Sequence, residues 1–511
     1  MARKIYSIQD FSGGLNVDTS PEQLKDNQLR VAQNVILDET GAVSKRLGSA
    51  PLNSVSYGAQ VNELIEWRRN DDSTVLLAVI GSDLCTINQT DGTKTVIKSL
   101  SESSIGWFVY NDKFYFTGKE SGTDKYWQYD GTTVSEVVAN TGAGNDLSPI
   151  KRCRRFLWHP TSARIFATID SGNRTKVYYS EANDPTYFKS TSVVTPTTGD
   201  GSIKAMDILG DAIVIMCGNS SWYTTGSDPL TDFVWKKFSG ANGTTGEFSA
   251  VQTPDSLTFL DVGGLWQMRR ASLNPDFASL TGNEVIVNLA RDKVVSLIQS
   301  ALNKDKAYGC FDRVNNRYML AYCDTGTVNN KIIVMDWALD AFVIWTNIQA
   351  NCLLSRADGS VLMGSSNYIL KLNQTAYRDW DVTAGAYVAI ESIIETKPYG
   401  FKLDFNQKKL RRMFMAYKQE ANMASELNLK ITYDYKIYEL TAVNLDSSFE
   451  WGEAWGLPWG YADYSQKEVR IRGSGSRVSV EYSNRKIDEV FTLYGHAFEF
   501  TPKKPKGVRV N

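Results

Sequence analysis

The sequence predicts an all-β protein: a β-propeller of six or seven four-stranded blades, with an extended N-terminal arm and a C-terminal antiparallel β-sandwich-like domain. Two observations lead to this fold class. The 511 residues include 13 Trp, 25 Tyr and 21 Phe, whose flat rings suit the pleated surfaces of sheets. Strand-like apolar runs also recur through the middle of the chain at a roughly constant interval, separated by turn dipeptides.

Residues 1–60 are predicted to form an arm, because they carry few large apolar side chains and need a core from elsewhere. Ser20 followed by Pro21 is a helix-start signal, since serine caps helix N-termini and proline suits the first helical position. A short helix is therefore expected from here to about Ala32, followed by a strand and a turn over 34–42.

Residues 61–389 are predicted to form the propeller. Repeat units open 42 to 59 residues apart, near Glu63, Ile105, Ile150, Ile203, Phe248, Ala307 and Cys352. A four-stranded blade needs about 40–50 residues, because each of its strands takes about five or six. Turn pairs such as Asp91-Gly92 and Asp358-Gly359 fall between the strand-like runs, where a hairpin needs residues that tolerate positive φ.

An alternative architecture and one unusually long interval bear on this prediction. An irregular set of β-sandwiches also shows short strands at close intervals, and is the alternative architecture. The longest interval contains apolar residues at helical spacing over 289–298, which we interpret as a helix inserted between blades.

Residues 390–511 are predicted to form a separate β-domain that serves as a docking platform. Their strands are longer and alternate strictly between apolar and polar residues, as over 428–433, 468–472 and 477–482. Such alternation is typical of antiparallel sheets with one solvated face.

Composition excludes several classes of function. The formal net charge is −2, so overall charge does not predict binding to nucleic acid or anionic membranes. No stretch of about 18 apolar residues is present, so no membrane span is expected. The N-terminus lacks the apolar core of a secretion signal, which indicates assembly in a cytoplasm.

Neither a metal nor another cofactor is expected. Six cysteines are scattered without a C-x-x-C pair, and there are two histidines, so a zinc site lacks its usual ligands. The thiols are expected to be small buried apolar groups. His159, at a strand-to-turn junction, is interpreted as structural.

The sequence predicts a protein that is not an enzyme, with no catalytic residues. It contains no G-x-S-x-G, H-E-x-x-H, phosphate-binding or dinucleotide-binding glycine motif. The alternative is a carbohydrate-active propeller, either a depolymerase or a glycan-binding protein. Hydrolysis of a glycosidic bond needs only two carboxyls about 5–10 Å apart, and such a pair can occur without a recognisable sequence motif.

Two basic clusters and one aromatic segment supply the candidate interface or channel residues. Basic side chains at strand starts face solvent, a neighbouring subunit or, by neutralising phosphates, DNA. Three tryptophans at four-residue intervals lie among three glycines and a proline, which exclude a stable helix and predict a loop; it is either a contact surface or folded back on its own domain. The candidates are Arg152, Arg154, Arg155, Lys408, Lys409, Arg411, Arg412, Trp451, Trp455 and Trp459.

Three groups of residues give the chain a resemblance to the tail hub or nozzle proteins of short-tailed bacteriophages. The first is the N-terminal pattern that begins with Phe11-Ser12-Gly13-Gly14-Leu15-Asn16 and ends with Lys45-Arg46-Leu47-Gly48, where Leu47 replaces a common proline. The second lies in the blade series from Ile150-Lys151-Arg152 to Leu209-Gly210-Asp211. The third combines Glu395-Thr396-Lys397 and Lys408-Lys409-Leu410 with Phe491-Thr492-Leu493-Tyr494-Gly495.

The resemblance implies a structural protein of the virion. Such proteins form a ring, commonly of six copies, coaxial with the exit channel for double-stranded DNA, which passes without sequence-specific binding. The expected partners are other copies of the chain, the head-tail adaptor or portal, and tail fibres or spikes. The expected location is the virion tail, after assembly in the host cytoplasm.

Overall fold

The structure, a computed structural model, describes residues 3–196, 199–270, 284–403, 406–418, 425–434, 436–445 and 465–503. It confirms the predicted all-β propeller with an antiparallel β-sandwich at its C-terminal end.

The N-terminal segment contributes strands to three different sheets. The predicted helix is wrong: residues 21–23 form a turn, in which the N–H of Gln23 donates to the carbonyl of Ser20 (2.8 Å), and a strand begins at Gln28. A strand is more favourable than a helix here, because Leu29, Ala32 and their neighbours become buried when the strand pairs within a larger sheet. The six strands are β1 (Lys4–Ile8), β2 (Gly14–Leu15), β3 (Gln28–Gln33), β4 (Val35–Leu37), β5 (Val43–Lys45) and β6 (Gly48–Pro51).

Five four-stranded meanders follow along the chain, each a sheet of its own. The first two are β7 (Val61–Arg68), β8 (Thr74–Ile80), β9 (Asp83–Ile87), β10 (Lys94–Ser99), and β11 (Gly106–Tyr110), β12 (Lys113–Glu120), β13 (Thr123–Tyr129), β14 (Val134–Glu136). The next two are β15 (Arg155–His159), β16 (Arg164–Thr168), β17 (Val177–Tyr179), β18 (Val193–Val194), and β19 (Ile203–Leu209), β20 (Ala212–Cys217), β21 (Ser221–Thr224), β22 (Lys236–Ser239). The fifth is β23 (Val251–Thr253), β24 (Ser256–Asp261), β25 (Gly264–Arg270) and β26 (Glu284–Asn288).

Two further units complete the ring. The meander β27 (Tyr308–Asp312), β28 (Arg317–Tyr322), β29 (Lys331–Asp336) and β30 (Ala341–Thr346) continues through β3 into a ten-stranded sheet. The final blade consists of β31 (Cys352–Ser355), β32 (Val361–Gly364) and β33 (Ile369–Gln374), and β6 from the N-terminus is its fourth strand. Within the described residues, six four-stranded sheets are thus separate blades and a seventh unit is fused to the sandwich, in agreement with the predicted six or seven blades.

The ring closes through the first strands of the blades. Strand β15 lies against β11 and β19, β27 lies against β23 and β31, and β31 lies against β7. These strands therefore surround the propeller axis, and radial closure leaves only short exposed edges. The N-terminal strand β6 joins the two ends of the ring, because it precedes β7 of the first blade in the chain and is also the fourth strand of the last blade.

The C-terminal sandwich is built from two sheets that both include N-terminal strands. Its C-terminal strands are β36 (Ser392–Thr396), β37 (Lys408–Lys418), β38 (Glu426–Tyr433), β39 (Lys436–Asn444), β40 (Ser465–Gly475), β41 (Val478–Asn484) and β42 (Thr492–Pro502). One sheet has the order β4-β5-β42-β37-β40, with β1 beside β42, and the other runs β30-β3-β36-β41-β38-β39, with β2 beside β3. The hairpin of β34 (Arg378–Asp381) and β35 (Ala386–Ala389) precedes them as a separate two-stranded sheet.

Helices are short in the described residues. The helix expected over 289–298 begins later, as α1 (Val295–Ser300), and 289–294 form turns. The carboxylate of Asp18, far away in sequence, accepts a hydrogen bond from the N–H of Ser296 (3.0 Å) at the helix start. Two single 3-10 turns occupy Ile150–Arg152 and Lys304–Lys306. None of the helices in the described ranges has the length and apolar character needed to cross a bilayer.

One large buried cluster joins the N-terminal strands, the fused meander and the sandwich. Leu29, Trp345, Met413 and Val480 all belong to it, although they come from four separate parts of the chain. Because apolar burial is the main stabilising term of a fold, this shared core holds the propeller and the sandwich together. The six cysteines are free and buried, as predicted.

Candidate functional site

A cavity of about 300 Å³ lies at the centre of the propeller, lined by residues from the inner strands of four blades and from the segment before a fifth. Glu63 comes from β7, Trp107 from β11, Arg155 from β15 and Asp207 from β19, while Phe248 lies just before β23. Side chains of a strand alternate between its two faces, so each inner strand directs only some of its residues toward the axis.

Glu63 is the most buried acidic residue of the cavity, at 5% exposure. The indole Nε1 of Trp107 donates to its Oε1 atom (2.7 Å). Burial raises the pKa of Glu63 to about 7, although the hydrogen bond from Trp107 and the positive charge of Arg155 act in the opposite direction. The carboxyl of Glu63 is therefore partly protonated near neutral pH.

Two more carboxyls belong to the same region. Asp207 accepts hydrogen bonds at Oδ1 from Nε2 of Gln252 (3.0 Å) and from the N–H of Ile208 (2.7 Å), yet burial still raises its pKa. Burial likewise raises the pKa of Glu247, whose negative charge in turn raises that of Glu63. The three acids are close enough to influence one another or the same arginine.

Arg155 is the arginine that these carboxyls share, because its charge lowers the pKa of all three. Its guanidinium lies over the ring of Phe248, 5.5 Å from the centroid, and within the described ranges it has no hydrogen bond or ion pair. Arg154 differs: its Nη2 binds Oε1 of Glu102 at 2.6 Å. The predicted residues Arg154 and Arg155 thus line the cavity at the propeller axis, one paired and one not.

Arg152, the third predicted arginine, lies in a different environment. Its Nε and Nη2 atoms bind the two carboxylate oxygens of buried Asp170 at 2.7 and 2.9 Å. The hydroxyl of Tyr178 also donates to Asp170 (2.9 Å). Burial raises the pKa of Asp170, but these hydrogen bonds outweigh it and the pKa falls below its ordinary value. Arg152 therefore stabilises its own blade through this pair.

The second basic cluster lies on β37, between β42 and β40 in a sandwich sheet. Lys408 is fully buried and its Nζ donates to the carbonyl of Ser476, so it does not belong to any exposed surface of this chain. Arg412 pairs with Glu468 at 3.1 Å. Lys409 and Arg411 are exposed, and they form the basic part of this face.

The remaining sequence predictions divide in two. Trp451, Trp455 and Trp459 lie outside the described residues. His159 is 1% exposed, and its ring nitrogens contact the hydroxyl of Ser162 (2.9 Å) and the carbonyl of Asp211 (3.1 Å). It is a structural histidine, as interpreted from the sequence, and burial lowers its pKa.

The N-terminal motif residues lie at the joint between the propeller and the sandwich. Arg46 is 1% exposed, and its guanidinium binds both carboxylate oxygens of Asp379, which is 4% exposed, with 2.9 Å between Nη1 and Oδ1. Its Nε donates to Oδ1 of Asn34 (3.0 Å). Gly48 is required here, because a Cβ atom at this position would lie 1.9 Å from the carbonyl oxygen of Arg378. The motif therefore has a structural role at this joint.

Glu63, Asp207 and Glu247 were not predicted from the sequence. The signal that points to Glu63 and Asp207 is an acidic residue followed directly by two apolar residues in a predicted strand, as in Glu63-Leu64-Ile65 and Asp207-Ile208-Leu209. Such a residue is costly to bury without a partner, so it marks a site more often than the surface acids do. In the part of the chain that the structure describes, no group of three or more His, Cys, Asp or Glu residues is arranged to hold a metal ion.

No protein-family model and no curated protein matches the chain. Similar solved structures include the extracellular domain assigned to a hybrid two-component system of B. thetaiotaomicron, with a TM-score of 0.43, 11% identity and coverage of 86% of this chain and 61% of that one. The WD40 domain of Pan2 from Neurospora crassa gives 0.38 and 8%, covering 66% and 98%. An exo-β-1,3-galactanase from Phanerochaete chrysosporium gives 0.29 and 11%, covering 78% and 96%. The chain thus spans about three fifths of the first structure's length, and the similarity concerns the fold alone.

Proposed function

We propose that the protein is a structural subunit of a virion tail, forming a ring of copies around the DNA exit channel of a short-tailed bacteriophage. The N-terminal motif that carries the resemblance to tail hub or nozzle proteins supports this proposal, because its residues build the joint between two domains. A joint held by buried hydrogen bonds suits a ring subunit, whose propeller and sandwich have to keep one arrangement while DNA passes.

The observation that carries the proposal is an open side of the sandwich. In the described part of the chain, the eleven-residue strand β40 pairs with β37 alone and the nine-residue strand β39 pairs with β38 alone. Strand β40 also lies against β38, the strand that pairs with β39, so within the described residues the edges formed by β40 and β39 lie on the same side of the sandwich. Long unpaired edges pair with other chains unless they are protected.

The surface around these edges suits a contact between copies. Ile437 on β39 is 58% exposed, and the exposed Lys409 and Arg411 lie on β37, the strand next to β40. A contact that uses different surfaces on the two partners closes into a ring when the rotation between copies fits. The same surface also suits the adaptor, portal or fibre partners that the resemblance implies.

The test is imaging of the purified full chain by negative stain, together with mass photometry over a range of concentrations. We expect rings for the natural sequence and loss of rings for Ile437→Lys, because a charge on an edge strand opposes pairing with another chain. Val138→Lys is the matched control, since Val138 is 83% exposed on the propeller. A monomer at every concentration, or equal effects of both variants, would contradict the proposal.

A second candidate is a carbohydrate-active propeller, and the central cavity favours it. Glu63 and Asp207 lie in one cavity with aromatic walls, and a carboxyl whose pKa is raised to about 7 suits a general acid. This reading predicts release of reducing sugar from host polysaccharide, abolished by Glu63→Gln or Asp207→Asn. Undiminished release in both variants, or no release by the natural sequence, would reject it.

A further inference from the structure

The central cavity contains more unpaired negative charge than positive charge. Three carboxyls, Glu63, Asp207 and Glu247, lie near Arg155. The positive charge of Arg174, an exposed residue, also lowers the pKa of Glu247. Arg154 adds little, because its guanidinium already binds Glu102. Buried carboxylates without a cation are costly, so they either take up protons or bind a positive group.

Glu63 shows where such a group would bind. The side chain is 5% exposed and lines the cavity. Its Oε1 atom accepts the hydrogen bond from Trp107, whereas Oε2 has no hydrogen-bond partner among the described residues. A nearly enclosed carboxylate that lines a cavity and has one oxygen without a donor among the described residues is an incomplete site.

The walls of the cavity are suited to an organic cation. Trp107, Phe108, Trp158 and Phe248 all line it. The guanidinium of Arg155 already lies over the ring of Phe248, which shows that a ring face here accepts a positive group. Aromatic faces combined with carboxylates are the usual surroundings of bound alkylammonium and guanidinium groups.

We propose that the central cavity binds a small organic cation, with an alkylammonium or guanidinium group, that lies between the aromatic walls and donates to Glu63 and Asp207. A volume of about 300 Å³ holds a ligand of this size and not a folded partner. A bare metal ion suits the cavity less well, since the acids of the described residues are not grouped as metal ligands. A neutral sugar would leave the surplus negative charge uncompensated.

The site is independent of the ring assembly proposed above, because its residues come from the inner strands of one propeller. Binding is expected to release protons near pH 7, since a cation next to Glu63 lowers the pKa that burial has raised to about 7. A neutral ligand has no comparable effect.

Isothermal titration calorimetry of the full chain with agmatine and with cadaverine tests the proposal. Titrations at pH 7 in phosphate and in Tris separate proton release from the heat of binding, because the two buffers differ in ionisation enthalpy. We expect saturable binding with proton release, weakened roughly tenfold or more by Glu63→Gln and by Asp207→Asn, because each removes a charged acceptor.

Controls keep the experiment decisive. Glu39→Gln, at an exposed turn, is expected to leave the affinity unchanged. Circular dichroism and the Tm check that each variant folds, and Asp207→Asn remains informative if Glu63→Gln does not fold. Absence of binding by both cations, binding that neither variant weakens, or equal binding of neutral galactose without proton release would overturn the proposal.

Discussion

The joint and the central cavity both bury charged side chains, but they treat the charges in opposite ways. At the joint, Arg46 and Asp379 form a bidentate pair, and the hydroxyl of Ser49 donates to the same carboxylate (3.1 Å). In the cavity, and among the residues that the structure describes, Glu63 has one side-chain hydrogen bond and Arg155 contacts the ring of Phe248 without an ion pair. Buried charges that satisfy each other hold a structure together, whereas those that do not are available to a ligand.

The largest expected effect comes from breaking the pair at the joint. Asp379→Ala leaves the guanidinium of Arg46 buried without its anion, which costs about 3–5 kcal/mol of unfolding free energy. Urea denaturation followed by tryptophan fluorescence measures this. Arg68→Ala is the matched control, because its pair with Asp72 is exposed and should contribute at most about 1 kcal/mol. Equal losses of unfolding free energy in the two variants would show that the buried pair at the joint contributes no more than an exposed ion pair.

The second prediction concerns the cavity and depends on pH. The pKa of Glu63 is about 7 in the folded protein against an ordinary value of 4.5, so between these values the folded chain holds a proton that the unfolded chain has lost. The free energy of unfolding therefore falls as pH rises from about 4.5 to 7, by roughly 3 kcal/mol from this group. Glu63→Gln should remove that fall.

Denaturant titrations of both proteins at several pH values measure this difference. The difference in unfolding free energy between the natural sequence and Glu63→Gln should change across pH 4.5–7 and be constant below that window. Glu39→Gln provides the baseline for an exposed acid. A difference that does not depend on pH would show that Glu63 remains ionised in the cavity.

Much of the fold followed from the sequence because the signals are local. Turn pairs such as Asp91-Gly92 separate strands in every environment, and Gly92 indeed has a φ of +70°. The helix predicted after Ser20 failed because a local start signal competes with sheet pairing, and Leu29 gains more by pairing with Thr396. The start of α1 depends on Asp18, a contact that no sequence pattern around 295–300 contains.

The site was harder to predict than the fold. Arg154 and Arg155 were candidates because basic residues cluster visibly in the sequence. Glu63 and Asp207 are far apart along the chain and line one cavity only because the ring closes, while Glu247 acts on Glu63 through its negative charge. The motif at Lys45-Arg46-Leu47-Gly48 was recognised, but its role at the joint depends on Asp379, more than 300 residues away.

The third prediction tests how tightly the joint is packed. Gly48→Ala places a methyl group against the carbonyl of Arg378, so the chain must shift, at a cost of about 1–3 kcal/mol. Gly263→Ala is the matched control, because a Cβ atom there meets no neighbouring atom and the φ of Gly263 is not positive. Gly122→Ala would be unsuitable, because the positive φ of Gly122 adds backbone strain of its own. Thermal unfolding should show a clearly lower Tm for Gly48→Ala alone. Equal Tm values for Gly48→Ala and Gly263→Ala would show that the joint accommodates the added methyl group without loss of stability.

The smallest expected effect is on the exposed basic face of the sandwich. Lys409→Ala combined with Arg411→Ala should change the unfolding free energy by no more than about 0.5 kcal/mol, because both side chains are exposed. The same double variant should weaken ring assembly if this face contacts another copy, which mass photometry measures. A loss of assembly at unchanged stability would assign Lys409 and Arg411 to an interface. A loss of stability would instead show that the charges of Lys409 and Arg411 stabilise the folded sheet together with the ion pair of Arg412. Exposed charges on this sheet would then contribute to folding as the buried pair at the joint does.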